Sequence, residues 1–299
     1  MRVGQKSRSR AFGRASAFER ASLQGSVSQL ATLPVPDFTE LFAQVSLRLE
    51  STMNEGTPRA CTANRYHSQM SRTRIKICGL TREQDVEAAV AAGADAIGLV
   101  FYPPSKRALA PARAAELRRL VPPFVDVVAL FVNAAEAEVR AVLEQVRPDL
   151  LQFHGDETPA QCERYGHRYL KAFRVGGPGT ETSQALLKSC EPYGSAAGWL
   201  FDSHSEGYGG SGRVFDWSLL GNASVRPVVL SGGLHAENVV QAIASVRPFA
   251  VDVSSGVEQS AGIKCADRIA RFVARVAEAD TAADAFAISP ARLARGRFS

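Results

Sequence analysis

From Arg74 onward the sequence predicts an α/β protein built as a single (β/α)8 TIM barrel, and three observations carry that expectation. Short β-branched runs alternate with helical stretches eight times in about 200 residues, which implies parallel strands joined by right-handed crossovers. The runs are almost continuously apolar, as in DAIGLVF over 95–101 and DVVALFV over 126–132, which suits strands covered on both faces. The first strand-to-helix turn reads Cys78-Gly79-Leu80-Thr81-Arg82, without the Gly-x-Gly-x-x-Gly fingerprint of an open dinucleotide-binding sheet. Eight units in this length fit a closed barrel better than an open sheet.

The elements follow in order. Arg74–Cys78 is a short apolar strand, followed by a helix over Arg82–Ala92 and a strand over Asp95–Phe101. A helix over Ala110–Leu120 leads to the strand Asp126–Val132, and a helix over Glu136–Val146 leads to Asp149–Phe153. The second half repeats the beat: helix Pro159–Tyr165, strand Tyr169–Val175, helix Thr182–Cys190, strand Gly198–Asp202 and a short helical turn at Trp217–Leu220. The strand Pro227–Leu230, the helix Ala236–Ser245, the strand Phe249–Val253 and the helix Ala266–Ala279 complete the set.

Three segments result. Residues 1–70 read as an N-terminal extension, disordered or absent from the native product, with Met53 or Met70 as the working start. Its Arg- and Ser-rich, acid-poor beginning also fits an organellar transit peptide, the alternative to a cytoplasmic location. Residues 71–279 form the barrel domain, and the Ala- and Arg-rich residues 280–299 read as a frayed tail.

Charge and cysteine usage exclude several function classes. The net charge of +5 is concentrated at the N-terminus, where residues 1–73 carry 10 basic against 5 acidic side chains, whereas residues 74–279 carry 22 against 23. A nucleic-acid role for the barrel therefore loses its main support. No apolar run approaches the ~18 residues of a membrane span, so a soluble chain without a membrane partner is expected. The five cysteines are odd in number, widely spaced and form no Cys-x-x-Cys, which argues against a disulfide framework or zinc site and for the reducing cytoplasm.

In a parallel barrel, chemistry is assembled at the C-terminal ends of the strands, so the residues there are the candidates. Strand one ends in Cys78, strand four is followed by His154, and strand six ends in Asp202. Strand seven is followed by Ser231-Gly232-Gly233; strand eight contributes Asp252 and then Ser254-Ser255-Gly256. On position alone, a thiol at residue 78 suits packing and chemistry equally. Asp202 lies opposite strand one in an eight-strand ring, where a thiol and a carboxyl make a base and an acid; an N-cap for the following segment is its plainer role.

Small residues after strands seven and eight let backbone N–H groups approach an anion, which implies a phosphorylated small-molecule substrate. Tyr208-Gly209-Gly210-Ser211-Gly212 is a third glycine-rich loop, suited to folding over a ligand. Arg107, in the loop after strand two, is a candidate clamp for a substrate carboxylate or else a solvated charge. His154 and Asp252 serve either as substrate contacts or as hydrogen-bonding support. No His, Asp or Glu cluster has metal-ligand spacing, so neither a metal nor another cofactor is expected.

Six separated motifs, in order, resemble the phosphoribosylanthranilate isomerase family: Lys76-Ile77-Cys78-Gly79-Leu80-Thr81, Gly93 to Gly98 continuing through Phe101 to Arg107, Gln152 to Glu157, Tyr208 to Gly212, Ser231 to Leu234, and Val251 to Glu258. The resemblance runs from about Arg74 to Ala279. It implies an Amadori rearrangement of N-(5-phosphoribosyl)anthranilate to 1-(2-carboxyphenylamino)-1-deoxyribulose 5-phosphate. The matching positions imply Asp202 as the acid that opens the furanose ring and Cys78 as the base that takes the C2 proton. They also imply Arg107 at the anthranilate moiety, the glycine loops at the phosphate, no cofactor, and a monomer or homodimer. A thiol serving as base should have its pKa lowered by the site.

Overall fold

The computed structural model describes residues 72–204, 214–220 and 225–287. Eight parallel strands close into one barrel in chain order: β1 (Arg74–Cys78), β2 (Ala96–Phe101), β3 (Asp126–Phe131), β4 (Leu150–Phe153), β5 (Tyr169–Val175), β6 (Gly198–Ser203), β7 (Val228–Leu230) and β8 (Ala250–Val253). Closure is made by β1 against β8, with Lys76 in register with Asp252. Helices α1 (Glu83–Ala91), α2 (Pro111–Arg118), α3 (Glu136–Gln145), α4 (Pro159–Glu163), α5 (Ser183–Cys190), α6 (Val239–Val246) and α7 (Ala266–Ala287) cover the outside, with a 3-10 turn at Trp217–Leu220 between β6 and β7. The expected TIM barrel is the observed fold. Among the described residues no helix is long and apolar enough to cross a membrane.

The period-two alternation of the strands divides the core. Outward-facing Ile77, Ile97, Leu99, Phe131, Leu151, Phe153, Phe201 and Leu230 pack against the helices in the main hydrophobic layer. Inward-facing Leu170, Ala172, Leu200, Val229 and Ala250 fill the barrel interior, and a second, separate inner group of Cys78, Val100, Leu130 and Val132 lies toward the C-terminal ends of the strands. Polar residues that share the inward parity, Lys76, Gln152, His154, Asp202 and Asp252, are buried as well.

Among the element ends that differ from the expected ones, four have a clear local reason. Asp95 and Asp149 stand just before β2 and β4 rather than inside them, because their carboxylates accept the Ile75 and Val127 backbone N–H groups at 2.9 and 2.7 Å. The final helix continues eight residues past Ala279. Its Ala-rich composition favours helix, and Asp280 accepts from both the backbone N–H (2.8 Å) and hydroxyl (2.7 Å) of Thr73. Helix α6 begins at Val239, three residues later than expected, because Asn238 folds back, accepting from the His235 N–H and donating to the Gly233 carbonyl. The expectations for residues 1–71, for the 208–212 loop and for residues 288–299 lie outside the described residues.

After β8 the chain forms a feature the sequence did not announce. A 3-10 turn over Ser255–Val257 leads into a two-stranded antiparallel ribbon, Glu258–Ser260 with Ile263–Lys264. This ribbon delivers Glu258 and Lys264 to the rim of the barrel.

Candidate active site

The inward parity of β1 places Lys76 and Cys78 on the same interior face, two residues apart. Cys78 is in register with Gly98 of β2, and a Cβ built at residue 98 would lie 2.6 Å from Sγ, so only glycine leaves room for the thiol. Lys76 Nζ donates to Asp252 Oδ1 at 2.9 Å, both groups being buried. Burial by itself depresses the lysine pKa, but Asp252 and Cys78 outweigh it and lift the ammonium to about 12. Lys76 is therefore a fixed interior cation beside the thiol.

The expected lowering of the thiol pKa is not what the unliganded site produces. Burial pushes Cys78 up; Lys76 opposes that rise, Asp252 adds to it, and Lys264 opposes it more weakly. The reason is desolvation of a thiolate in an interior site that is only partly offset by neighbouring cations. Ser254 donates its hydroxyl to the Cys78 carbonyl at 3.0 Å and accepts from Lys264 Nζ at 3.2 Å, tying the end of β1 to the loop after β8.

Asp202 sits on the inner face of β6. Its Oδ1 accepts from the Ser203 N–H at 2.9 Å, and its Oδ2 lies 3.1 Å from His154 Nε2. His154 Nδ1 in turn faces Gln152 Nε2 at 2.9 Å. Gly232 turns the chain after β7 at φ +87°, and a Cβ there would lie 2.5 Å from the Ser203 nitrogen and 2.9 Å from Asp202 Oδ1. The loop carrying His154 is held by Glu157, which accepts from the Asn133 and Gly155 N–H groups and pairs with buried Lys171 at 3.0 Å.

These groups open onto one cleft, lined by Cys78, Tyr102, Arg107, Gln152, His154, Asp202, Ser231, Gly232, Gly233, Asp252, Ser254 and Ser255 among others. The expected convergence of thiol, carboxyl and both glycine loops is thus present in the structure. Gly256 does not line the cleft; it packs against Leu234, where an added Cβ would meet the carbonyl oxygen at 2.0 Å. Gly210 lies outside the described residues. Asp252 and His154 line the cleft and are themselves hydrogen-bonded, Asp252 to Lys76 and to the Ser231 hydroxyl (3.4 Å), His154 to Asp202.

Arg107 is not the solvated charge its loop position allowed. It forms a two-point pair with Glu258, Nε–Oε1 at 2.7 Å and Nη2–Oε2 at 2.8 Å. Lys264 reaches the same carboxylate at 2.8 Å. Burial pushes Glu258 up, but Arg107 and Lys264 prevail and hold it below the ordinary range, while burial depresses Lys264. The fork of Arg107 is fixed in direction by this pair, and the residue lines the cleft.

Lys76, Gln152, Glu258 and Lys264 are the polar residues that the sequence did not single out. Two carried a usable signal: Lys76 precedes Cys78, and Gln152 precedes His154, by the two residues that set a common inward face. Glu258 closed the Val251–Glu258 motif without an assigned role, and Lys264 carried no signal, since their ribbon was not expected. Chemically, the site pairs a thiol near a buried cation with a hydrogen-bonded carboxyl, beside two loops with tight glycine turns. Among the described residues no group of three or more His, Cys, Asp or Glu side chains is placed to hold a metal ion.

The family model described as N-(5'-phosphoribosyl)anthranilate (PRA) isomerase matches residues 75–275. A protein of Bordetella parapertussis named N-(5'-phosphoribosyl)anthranilate isomerase is 61% identical over 216 residues, spanning 71% of this chain and 99% of the relative. The crystal structure of phosphoribosyl anthranilate isomerase from Thermotoga maritima superposes with a TM-score of 0.63 at 40% identity, covering 69% of this chain and 99% of that one. A structure of the same kind of enzyme in complex with reduced 1-(o-carboxyphenylamino)-1-deoxyribulose 5-phosphate is similar at a TM-score of 0.60 and 37% identity, with coverage of 69% and 99%.

Proposed function

Because the chain belongs to the N-(5'-phosphoribosyl)anthranilate isomerase family, we propose that Cys78 and Asp202 are the base and the acid of its reaction. That reaction is the Amadori rearrangement of N-(5-phosphoribosyl)anthranilate to 1-(2-carboxyphenylamino)-1-deoxyribulose 5-phosphate in tryptophan biosynthesis, an aldose–ketose isomerisation. The observation that carries the assignment of roles is the shared cleft, with Cys78 on β1 and Asp202 on β6.

Asp202 gives a proton to the furanose ring oxygen as the bond from that oxygen to C1 breaks, leaving an iminium at C1. Cys78 removes the C2 proton, and its electron pair flows into the C1–C2 bond and neutralises the iminium nitrogen. The resulting enolamine tautomerises to the ketone. No electrons leave or enter the substrate, so the chemistry is general acid–base throughout.

The raised thiol pKa makes Lys76 part of this reading. A buried ammonium next to Sγ stabilises the thiolate, and the positive iminium adds to that stabilisation as it forms. The base is thus strengthened when substrate is opened rather than before. Arg107, aimed by Glu258, offers its free edge to the anthranilate carboxylate, and the loops at Gly232–Leu234 and Ser254–Ser255 receive the phosphate. The barrel over residues 71–279 is the catalytic unit.

Growth of a tryptophan auxotroph lacking this isomerase tests the reading, with the full chain and with residues 70–299 supplied separately. Both should restore growth, and neither Cys78→Ala nor Asp202→Asn should. Soluble wild-type chain without growth overturns the function; growth with either variant overturns its assigned role.

A further inference from the structure

Gln152 is fully buried on the inner face of β4, with Leu130 and Leu170 as its register partners. Its Nε2 faces His154 Nδ1 at 2.9 Å, and its Oε1 is buried without a hydrogen-bond partner. An unpaired buried acceptor costs free energy that a leucine of similar size would not. A polar side chain kept there at a cost, with one bond aimed at one ring nitrogen, calls for a role in that bond.

A carboxamide nitrogen can only donate, so His154 Nδ1 must accept. In the neutral imidazole the proton then sits on Nε2, which donates to Asp202 Oδ2 across 3.1 Å. Turning the amide over would leave both of its N–H donors without a protein partner, whereas the orientation seen pairs one of them with His154. The backbone N–H of Ser203 already donates to Oδ1 at 2.9 Å. Both carboxylate oxygens of Asp202 thereby face a donor.

We propose that Gln152 is a positioning residue that holds His154 in its Nε2–H form, so that His154 stabilises the Asp202 carboxylate as the proton leaves for the substrate. The inference rests on Asp202 being the acid. A general acid becomes an anion in the transition state, and donors already in place favour that charge without reorganisation. In the opposite tautomer a lone pair of Nε2 would face the developing anion.

Two measurements test this on the full chain. In wild-type protein with 15N-labelled histidine, the His154 signals, assigned by their loss in His154→Asn, should show Nδ1 unprotonated and Nε2 protonated. Gln152→Leu should lower kcat about 10- to 100-fold, the worth of a hydrogen bond to a charged group, with KM within about twofold. Its thermal midpoint should stay near wild type, since the orphan acceptor is removed while His154 Nδ1 loses its donor. Gln152→Glu, which can accept at Nδ1, should move the proton there and reproduce the kinetic loss.

A protonated neutral Nδ1 in wild type overturns the proposal, whether or not the leucine variant folds. So does unchanged kcat in Gln152→Leu, or a lowered midpoint with unchanged kinetics, the signature of a structural role. Full turnover in Asp202→Asn would instead remove the acid assignment, leaving the tautomer result to stand alone.

Discussion

Gly98 faces Cys78 across the β1–β2 register so closely that an added Cβ would lie 2.6 Å from Sγ and 3.0 Å from the Cys78 Cα. The thiol occupies the space that a side chain on β2 would fill. Gly98→Ala should therefore displace Sγ, lower kcat at least tenfold and leave KM within about threefold. Overpacking of this kind costs about 1–3 kcal/mol, a fall of a few degrees in thermal midpoint. Steady-state kinetics with calorimetry check it, and wild-type turnover would show that the thiol position is not critical.

Lys76 opposes the rise that burial imposes on the Cys78 pKa. Lys76→Met should move the pH dependence of Cys78 alkylation to higher pH and reduce turnover near neutrality. The single substitution also leaves Asp252 buried without its cation, a loss of about 3–5 kcal/mol. Lys76→Met/Asp252→Asn should recover most of that stability while keeping part of the alkylation shift, because Asp252 itself pushes the thiol up less than Lys76 pulls it down. Iodoacetamide rates read at Cys78 by mass spectrometry measure it, and an unchanged profile in the double variant would refute the electrostatic role.

Glu258 aims Arg107 through two bonds of 2.7 and 2.8 Å. Glu258→Gln should loosen that aim and raise KM about 3- to 10-fold with a smaller change in kcat, while Lys264 loses its anionic partner and the thermal midpoint falls. Arg107→Lys should abolish the preference for a ligand carrying the anthranilate carboxylate over an analogue lacking it, because a lysine cannot reproduce the fork. Titration calorimetry with the two product analogues provides the comparison.

Cys162 and Cys190 are held by burial up to about 12, against an ordinary 9.0. Unfolding lets them ionise, so their contribution to stability is complete below about pH 9 and is lost as pH rises from 9 toward 12. The urea midpoint should fall across that window, and more gently in Cys162→Ala/Cys190→Ala. Parallel curves for variant and wild type would assign the alkaline loss elsewhere, with Tyr193, also raised to about 12, the next group to replace.

Much of this was legible in the chain. The beat of strands and helices needs only local information, since near-continuous apolar runs report burial on both faces. Cys78, His154, Asp202 and the glycines after β7 were found because a parallel barrel sends every strand end to one rim. The final helix was cut short at Ala279 because nothing local shows that Asp280 will meet Thr73, 207 residues away. Gly256 was read as an anion contact, and nothing local showed that Leu234 also leaves no room there for a side chain.

The sequence by itself determined the barrel, its polarity and which side chains face inward, because these follow from a period of two and from the chirality of crossovers. Only the tertiary structure decided what those side chains meet. Lys76 pairs with Asp252 because closure sets β1 beside β8, across 176 positions of chain. Arg107 meets Glu258 because a ribbon after β8 folds back over the rim. Protonation, aim and room for the thiol are properties of those meetings, and they exist only once the ring is closed.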